Sequence, residues 1–158
     1  MRKIPLTQGK FALVDDKDFE RFGDFKWQYM NGYAGRTVYM GGGRKGAIYT
    51  TEWLHRLIAE VPEGMVGDHI NGDTLDNQRS NLRICTQRQN LMNTGKKSTN
   101  TSGVKGVSWH KASKKWVAQI YIDGKKRHLG IYSDINEAKR IYQNSAEQTF
   151  GIFARKEV

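Results

Sequence analysis

Nine consecutive residues, Gly95-Lys96-Lys97-Ser98-Thr99-Asn100-Thr101-Ser102-Gly103, include no large apolar side chain. A stretch of that composition has nothing to bury and reads as a linker, 95–103. It divides the 158-residue chain into two short parts, 1–94 and 104–158, each of which must close its own core. The one cysteine, Cys85, can form neither an internal disulfide nor a four-cysteine zinc site, and its place beside Ile84 suits a core position. No apolar run approaches the roughly 20 residues of a membrane helix. Met1-Arg2-Lys3-Ile4-Pro5 has no apolar run behind it, so no signal peptide is expected. The expected setting is a reducing cytoplasm, with no membrane and no small-molecule cofactor.

The net charge of +10 favours a polyanionic partner, and nucleic acid is the commonest. The charge is unevenly spread. Residues 1–95 carry 13 Lys/Arg against 11 Asp/Glu, whereas residues 96–158 carry 13 against 5. The second part therefore reads as the electrostatic grip. The alternative is that its lysines only keep the protein soluble.

Element signals follow the same division. Lys10 to Val14 reads as a strand and Asp16 to Phe22 as a short helix with acids in its first turn. Asn31-Gly32 marks a hairpin, and Gly41-Gly42-Gly43 with Arg44 and Lys45 marks a hairpin tip whose basic residues would suit a phosphate. Trp53, Leu54, Leu57, Ile58 and Val61 have helical spacing, which predicts a helix over 52–61 ended by Pro62. Met65-Val66 and Leu82-Arg83-Ile84 are short apolar pieces around a polar loop. Thr86 would cap a helix through Gln89, Asn90 and Leu91, stopped by Gly95.

Beyond the linker, Val104 to Trp109, Trp116 to Ile122 and Lys125 to Ile131 read as three strands. Asp123-Gly124 is a type I′ turn signal. Asp134 and Glu137 have capping-box spacing, and the helix after them would bury Ile135, Ala138, Ile141 or Tyr142, Ser145 and Thr149. Three strands and one helix can cover each other's apolar faces.

The chemistry-bearing residues lie between 68 and 90. Cutting a phosphodiester needs a base that works near neutral pH, and histidine has the suitable unperturbed pKa. It also needs positive charge at the phosphate, which a hard divalent cation on oxygen ligands supplies. Asp68 offers a carboxylate and Asn90 an amide oxygen, with His69 beside Asp68. Neighbours on a strand face opposite ways, so a strand end must be irregular for Asp68 and His69 to serve one phosphate.

Asn81 follows His69 by 12 residues and Asn90 by 21. With Leu54-His55-Arg56-Leu57-Ile58 upstream, Asp68-His69-Ile70-Asn71-Gly72 at the centre, Asp76 and Asn77 in the loop and Asn81-Leu82-Arg83 after it, residues 53–94 resemble the HNH endonuclease family in its H-N-N form. The resemblance implies an α+β protein with a ββα-metal (His-Me finger) nuclease core. It implies His69 as general base, Asp68 and Asn90 as ligands of one Mg²⁺ or Mn²⁺ per chain, and catalytic Asn81 holding the loop and orienting the histidine. Asn77 and His55 would be supporting residues. Two departures stand out. Asn90 replaces a histidine, which keeps the ligand hard. Gly67 stands where an apolar strand residue is expected and would loosen the strand. Residues 1–50 resemble the leader of phage nucleases of this type and would complete the sheet.

Lys105-Gly106-Val107-Ser108-Trp109, Lys115-Trp116-Val117-Ala118-Gln119-Ile120, His128-Leu129-Gly130-Ile131-Tyr132, Glu137-Ala138 and Ala146 with Phe150-Gly151 resemble the APETALA-type DNA-binding domain of plant ethylene-response factors. That likeness, over 104–154, implies a small three-stranded antiparallel sheet packed on one helix and lying in the major groove of double-stranded DNA. Alternation would turn Val117, Gln119, Tyr121, Lys126 and His128 outward, joined by Lys105, Ser108 and His110. Lys96 and Lys97 would cross phosphates. The plant domains carry more arginine and a tryptophan on this face, so Ser108, Tyr121 and His128 leave the sequence read open.

The function these readings support is a metal-dependent DNA endonuclease of homing type. The alternative is a catalytically degenerate DNA-binding regulator. An RNA-binding role is weaker, because alternation buries Trp116. One metal site per chain fits nicking by a monomer or double-strand cutting by a dimer.

Overall fold

The computed structural model of the chain describes residues 1–43, 46–96 and 98–155. These residues fall into two units, Met1–Arg88 and Gln89–Val158. Each has its own apolar cluster.

The first unit opens with an antiparallel hairpin of β1 (Arg2–Pro5) and β2 (Phe11–Val14). Strand alternation buries Ile4, Ala12 and Val14 on one face. Helix α1 (Asp16–Phe22) follows, with Asp16 and Asp18 in its first turn and Arg21 in its last, the arrangement that complements a helix dipole. A second sheet has the order β3 (Gln28–Met30), β4 (Tyr33–Gly41), β5 (Ile48–Trp53). The β3–β4 turn uses Asn31 at φ 50° and Gly32 at φ 93°, the left-handed pair that an Asn-Gly hairpin requires. Arg44 and Lys45 lie outside the described residues.

The helix expected over 52–61 is shorter. Strand β5 keeps Glu52 and Trp53, and α2 covers only Leu54–Ile58. Glu52 pairs with Arg36 across β4 and β5, Nη2 to Oε2 at 2.7 Å, which holds that end of the segment in the strand register. Glu60 at φ 53° ends the helical path ahead of Val61. Two short strands, β6 (Val66–His69) and β7 (Leu82–Cys85), pair antiparallel with Asp68 opposite Arg83 and His69 opposite Leu82. The core beneath them includes Ile4, Val14, Leu54 and Ile58, none exposed. Burying each such side chain contributes about 1.5–3 kcal/mol. Cys85 is buried as a core residue, as expected.

The boundary between the units falls within α3 (Gln87–Asn93). The second unit then forms a sheet of order β10 (Lys125–Tyr132), β9 (Lys115–Ile122), β8 (Val107–His110), and α4 (Ile135–Phe150) packs on it through Ala138, Tyr142 and Ala146. Strand β8 starts later than Val104 because Gly106 sits at φ 72° against Tyr142 and the Gln119 carbonyl. Before it, Ser102 Oγ donates to Val107 O at 2.7 Å and Asn100 Nδ2 to Val104 O at 2.8 Å. The 95–103 stretch, apart from Lys97, thus carries its own hydrogen-bonded turns. The α4 stripe runs Ala138, Tyr142, Ala146 rather than through Ser145 and Thr149, and Thr149 is exposed. Asp134 caps α4 by accepting from Asn136 N at 3.0 Å, a single bond to the second helical residue. The architecture is mixed, helices with several small antiparallel sheets. Among the described residues no helix is long and apolar enough to cross a membrane.

Candidate active site

The end of β6 places Asp68 and His69 in the first unit, 5% and 4% exposed. Their side chains meet different partners. Asp68 Oδ2 accepts a hydrogen bond from Nε of Arg83, its cross-strand neighbour, at 2.8 Å and forms an ion pair with its Nη2 at 2.6 Å. This pair turns a buried carboxylate into one half of a neutral couple and fixes its orientation. His69 instead meets Asn77, whose Oδ1 lies 3.3 Å from His69 Nε2.

Asn77 is wholly buried and is fixed on every side. Its Nδ2 donates to Leu75 O at 3.0 Å, and its backbone N–H donates to Leu13 O at 2.8 Å. Since the amide nitrogen points at Leu75, the amide oxygen is the atom that faces the imidazole. Neutral His69 therefore carries its proton on Nε2 and donates it to Asn77, which makes Nδ1 the basic nitrogen. Burial pushes the His69 pKa below its ordinary value, more than the Asn77 hydrogen bond and the Asp68 charge raise it. The neutral form of the ring is thereby favoured.

The loop between β6 and β7 is held by its own polar side chains. Asn71 N donates to Asn81 Oδ1 at 3.0 Å, and Asn81 Nδ2 donates to Asp76 O at 2.8 Å. Asp76 accepts from Asn71 Nδ2 at 2.9 Å and from Gln78 Nε2 at 2.8 Å. Asn81 thus ties the loop, while the bond to the histidine comes from Asn77. Thr74 Oγ1 fastens the loop to Gly32 O of the β3–β4 turn at 2.6 Å. Leu13 N donates to Leu75 O at 2.8 Å, so β2 also grips it by its backbone.

His55, on α2, is buried with its ring centroid 5.1 Å from that of His69. Burial, then the neighbouring His69 and Arg56, lower its pKa to about 4. Sequence reasoning singled out neither Tyr33, 6.0 Å from the His69 ring, nor Arg83 as the partner of Asp68. Antiparallel register across the β6–β7 loop is the signal for Arg83. Gly67 does not loosen β6; it makes room, since a Cβ there would stand 2.9 Å from His55 Cδ2.

Asn90 is half-buried on α3, in the second unit. Among the described residues no group of three His, Cys, Asp or Glu converges as a metal cage. A carboxylate such as that of Asp68 and an amide such as that of Asn90 are hard oxygen donors, of the kind Mg²⁺ or Mn²⁺ takes in preference to zinc.

In the second unit the cross-strand pairs Gln119–His128 and Tyr121–Lys126 lie side by side on β9 and β10, and Tyr121, Lys126 and His128 are exposed. Ser108 and His110 are exposed on β8. Lys105 lies before β8, and its Nζ donates to Met92 O at 3.0 Å and Thr94 O at 2.5 Å. Those carbonyls end α3, where a cation is favoured. Lys96 donates to Gly103 O at 3.1 Å. Lys97 lies outside the described residues.

A family model described as HNH endonuclease matches residues 52–92. Protein 3.8 of Escherichia phage T7 is 33% identical over 95 residues, covering 60% of this chain and 78% of that protein. An uncharacterized HNH endonuclease, L560, of Acanthamoeba polyphaga mimivirus is 29% identical over 149 residues, covering 93% of this chain and 74% of that one. No solved structure matches. The matched segment spans α2, β6, the hydrogen-bonded loop, β7 and nearly all of α3, so residues 52–92 of the chain carry an HNH endonuclease domain, and the similarity to the two viral proteins reaches beyond it.

Proposed function

We propose that the protein is a metal-dependent DNA endonuclease of homing type, which nicks or cleaves at a site recognised by residues 104–158 acting as an APETALA-type domain. The observation that carries this reading is the state of His69. It is buried and neutral, with Nε2 committed to Asn77, so that Nδ1 is the proton acceptor.

Asp68 and Asn90 would hold one Mg²⁺ or Mn²⁺, which when bound supplies positive charge beside the scissile phosphate and the departing oxygen. His69 Nδ1 takes a proton from a water. The water oxygen bonds to phosphorus and the P–O3′ bond breaks, and the departing 3′ oxygen takes a proton from solvent, giving 5′-phosphate and 3′-hydroxyl ends. Arg83 keeps the Asp68 carboxylate aimed. Asn81 keeps the loop closed behind the histidine.

The second unit supplies the grip. Its excess of basic residues and the exposed Ser108, His110, Tyr121, Lys126 and His128, with half-buried Gln119 among them, support duplex binding, in which Gln119 suits adenine and Lys126 suits guanine or phosphate. Lys96 and Lys97 would add cations that cross phosphates.

The test is nicking of a supercoiled plasmid library with Mg²⁺ or EDTA. Cutting that needs Mg²⁺ and disappears in His69→Ala, with DNA binding retained, is the expected result. Sequence-selective binding with no cutting of the bound site would make the protein a regulator instead.

A further inference from the structure

The Asn77 hydrogen bond fixes one atom of the His69 ring. The ring itself meets a pair of further aromatic rings. His55 lies 5.1 Å from His69 and tilted 57° to it, and Tyr33 lies 5.3 Å from His55 and 6.0 Å from His69. Tyr33 also meets Trp53 edge-on at 5.9 Å, which anchors it to β5.

His55 reaches this place because the strand beneath it has no side chain. A Cβ on Gly67 would stand 2.9 Å from His55 Cδ2 and 3.1 Å from Val61 Cγ2. The glycine, two residues before His69, is thus the notch into which the His55 ring is set. His55 is 8% exposed, and its Nδ1 is buried with no hydrogen-bond partner among the described residues. Its influence on His69 passes through ring contact.

We infer that His55 is a positioning residue for the general base: seated on Gly67 and backed by Tyr33, its ring forms the wall that holds the His69 imidazole at the angle needed for proton abstraction. The inference rests on His69 being that base. It assigns Gly67 a role that no chemistry of its own would suggest.

The experiment compares the full chain with His55→Ala, His55→Phe, Gly67→Ala, the His55→Ala/Gly67→Ala double variant and His69→Ala. Two readouts are taken: single-turnover nicking of a plasmid site with Mg²⁺, and the ¹⁵N signals of the His69 ring. Misplacing a reacting group by about 1 Å costs about 10²-fold, so His55→Ala should slow nicking by roughly 10- to 100-fold with KM for DNA little changed. His55→Phe restores a ring without nitrogens and should recover most of the rate. Gly67→Ala should slow nicking too, yet add little in the His55→Ala background, because the two changes act through one contact. The His69 signals should show one nitrogen-bound tautomer in the wild type and exchange between two in His55→Ala. Full-rate cutting by His55→Ala while His69→Ala is inactive would overturn the positioning role alone. A Phe variant as slow as Ala would overturn it as well, by placing the role in the nitrogens. If cutting survives in His69→Ala, the base assignment falls, and the ring signals still decide the wall: unchanged His69 spectra in His55→Ala would overturn it.

Discussion

Arg79 grips Asp18 with two parallel hydrogen bonds, Nε to Oδ2 and Nη2 to Oδ1, each 2.8 Å long. Asp18 is on α1 and wholly buried, and Arg79 begins the turn that leads into Asn81. Asp15 joins them by accepting from Arg79 N at 2.9 Å. Helix α1 thereby holds the base of the β6–β7 loop. Among the described residues, Arg79→Ala leaves the buried Asp18 carboxylate with only the 3.8 Å approach of Arg21. Removing one partner of such a pair should cost about 3 kcal/mol, read as a lower urea midpoint with an unchanged slope. Cleavage should fall with it, since Asn81 loses its footing.

Asn77→Ala removes the acceptor of the His69 Nε2 proton and the donor to Leu75 O together. Loss of an orienting partner of this kind lowers activity by about 10- to 100-fold. The fall should appear in kcat, with DNA affinity unchanged in a filter-binding assay.

His55 should make the protein acid-sensitive. Its pKa is lowered from 6.5 to about 4, first by burial and then by His69 and Arg56. A depressed histidine favours the folded state fully only above the unfolded pKa. As pH falls from about 6.5 towards 4 the unfolded chain takes up the proton and the folded chain resists it, a loss on the order of 3 kcal/mol. His55→Phe should flatten stability over that window, measured by urea titrations at pH 7 and pH 4.5.

Lys126 and Lys105 should behave differently, although both are lysines of one unit. Lys126 is exposed beside Tyr121. Lys126→Ala should reduce the salt slope of DNA binding by about 1, with folding intact. Lys105 ties the Met92 and Thr94 carbonyls. Lys105→Ala should lower stability by about 1 kcal/mol. A salt slope that does not move in Lys126→Ala would put the phosphate contacts elsewhere.

The strand and turn pattern was largely legible in the chain itself. Asn31-Gly32 and Asp123-Gly124 sit at the left-handed turns their residue types demand, and α1 spans the expected Asp16–Phe22. Local chemistry decides such features. The short α2 was not legible, because the Arg36–Glu52 pair that holds its first residues in a strand joins positions far apart in sequence. The same holds for the site. The spacing of His69, Asn81 and Asn90 pointed to the chemistry, but which asparagine touches the imidazole depends on how the loop folds over β2. Gly67 read as a weak point in a strand, and only the neighbouring His55 ring explains it.

Strand β2 exchanges backbone hydrogen bonds with the loop that carries Asn77, Leu13 N to Leu75 O and Asn77 N to Leu13 O. The recognisable motif begins some forty residues later, at residue 52. A gene fragment trimmed to that motif would inherit all of its letters and lose the splint that holds one of them in place. Transplants between nucleases should therefore keep their leader, however little its own sequence advertises.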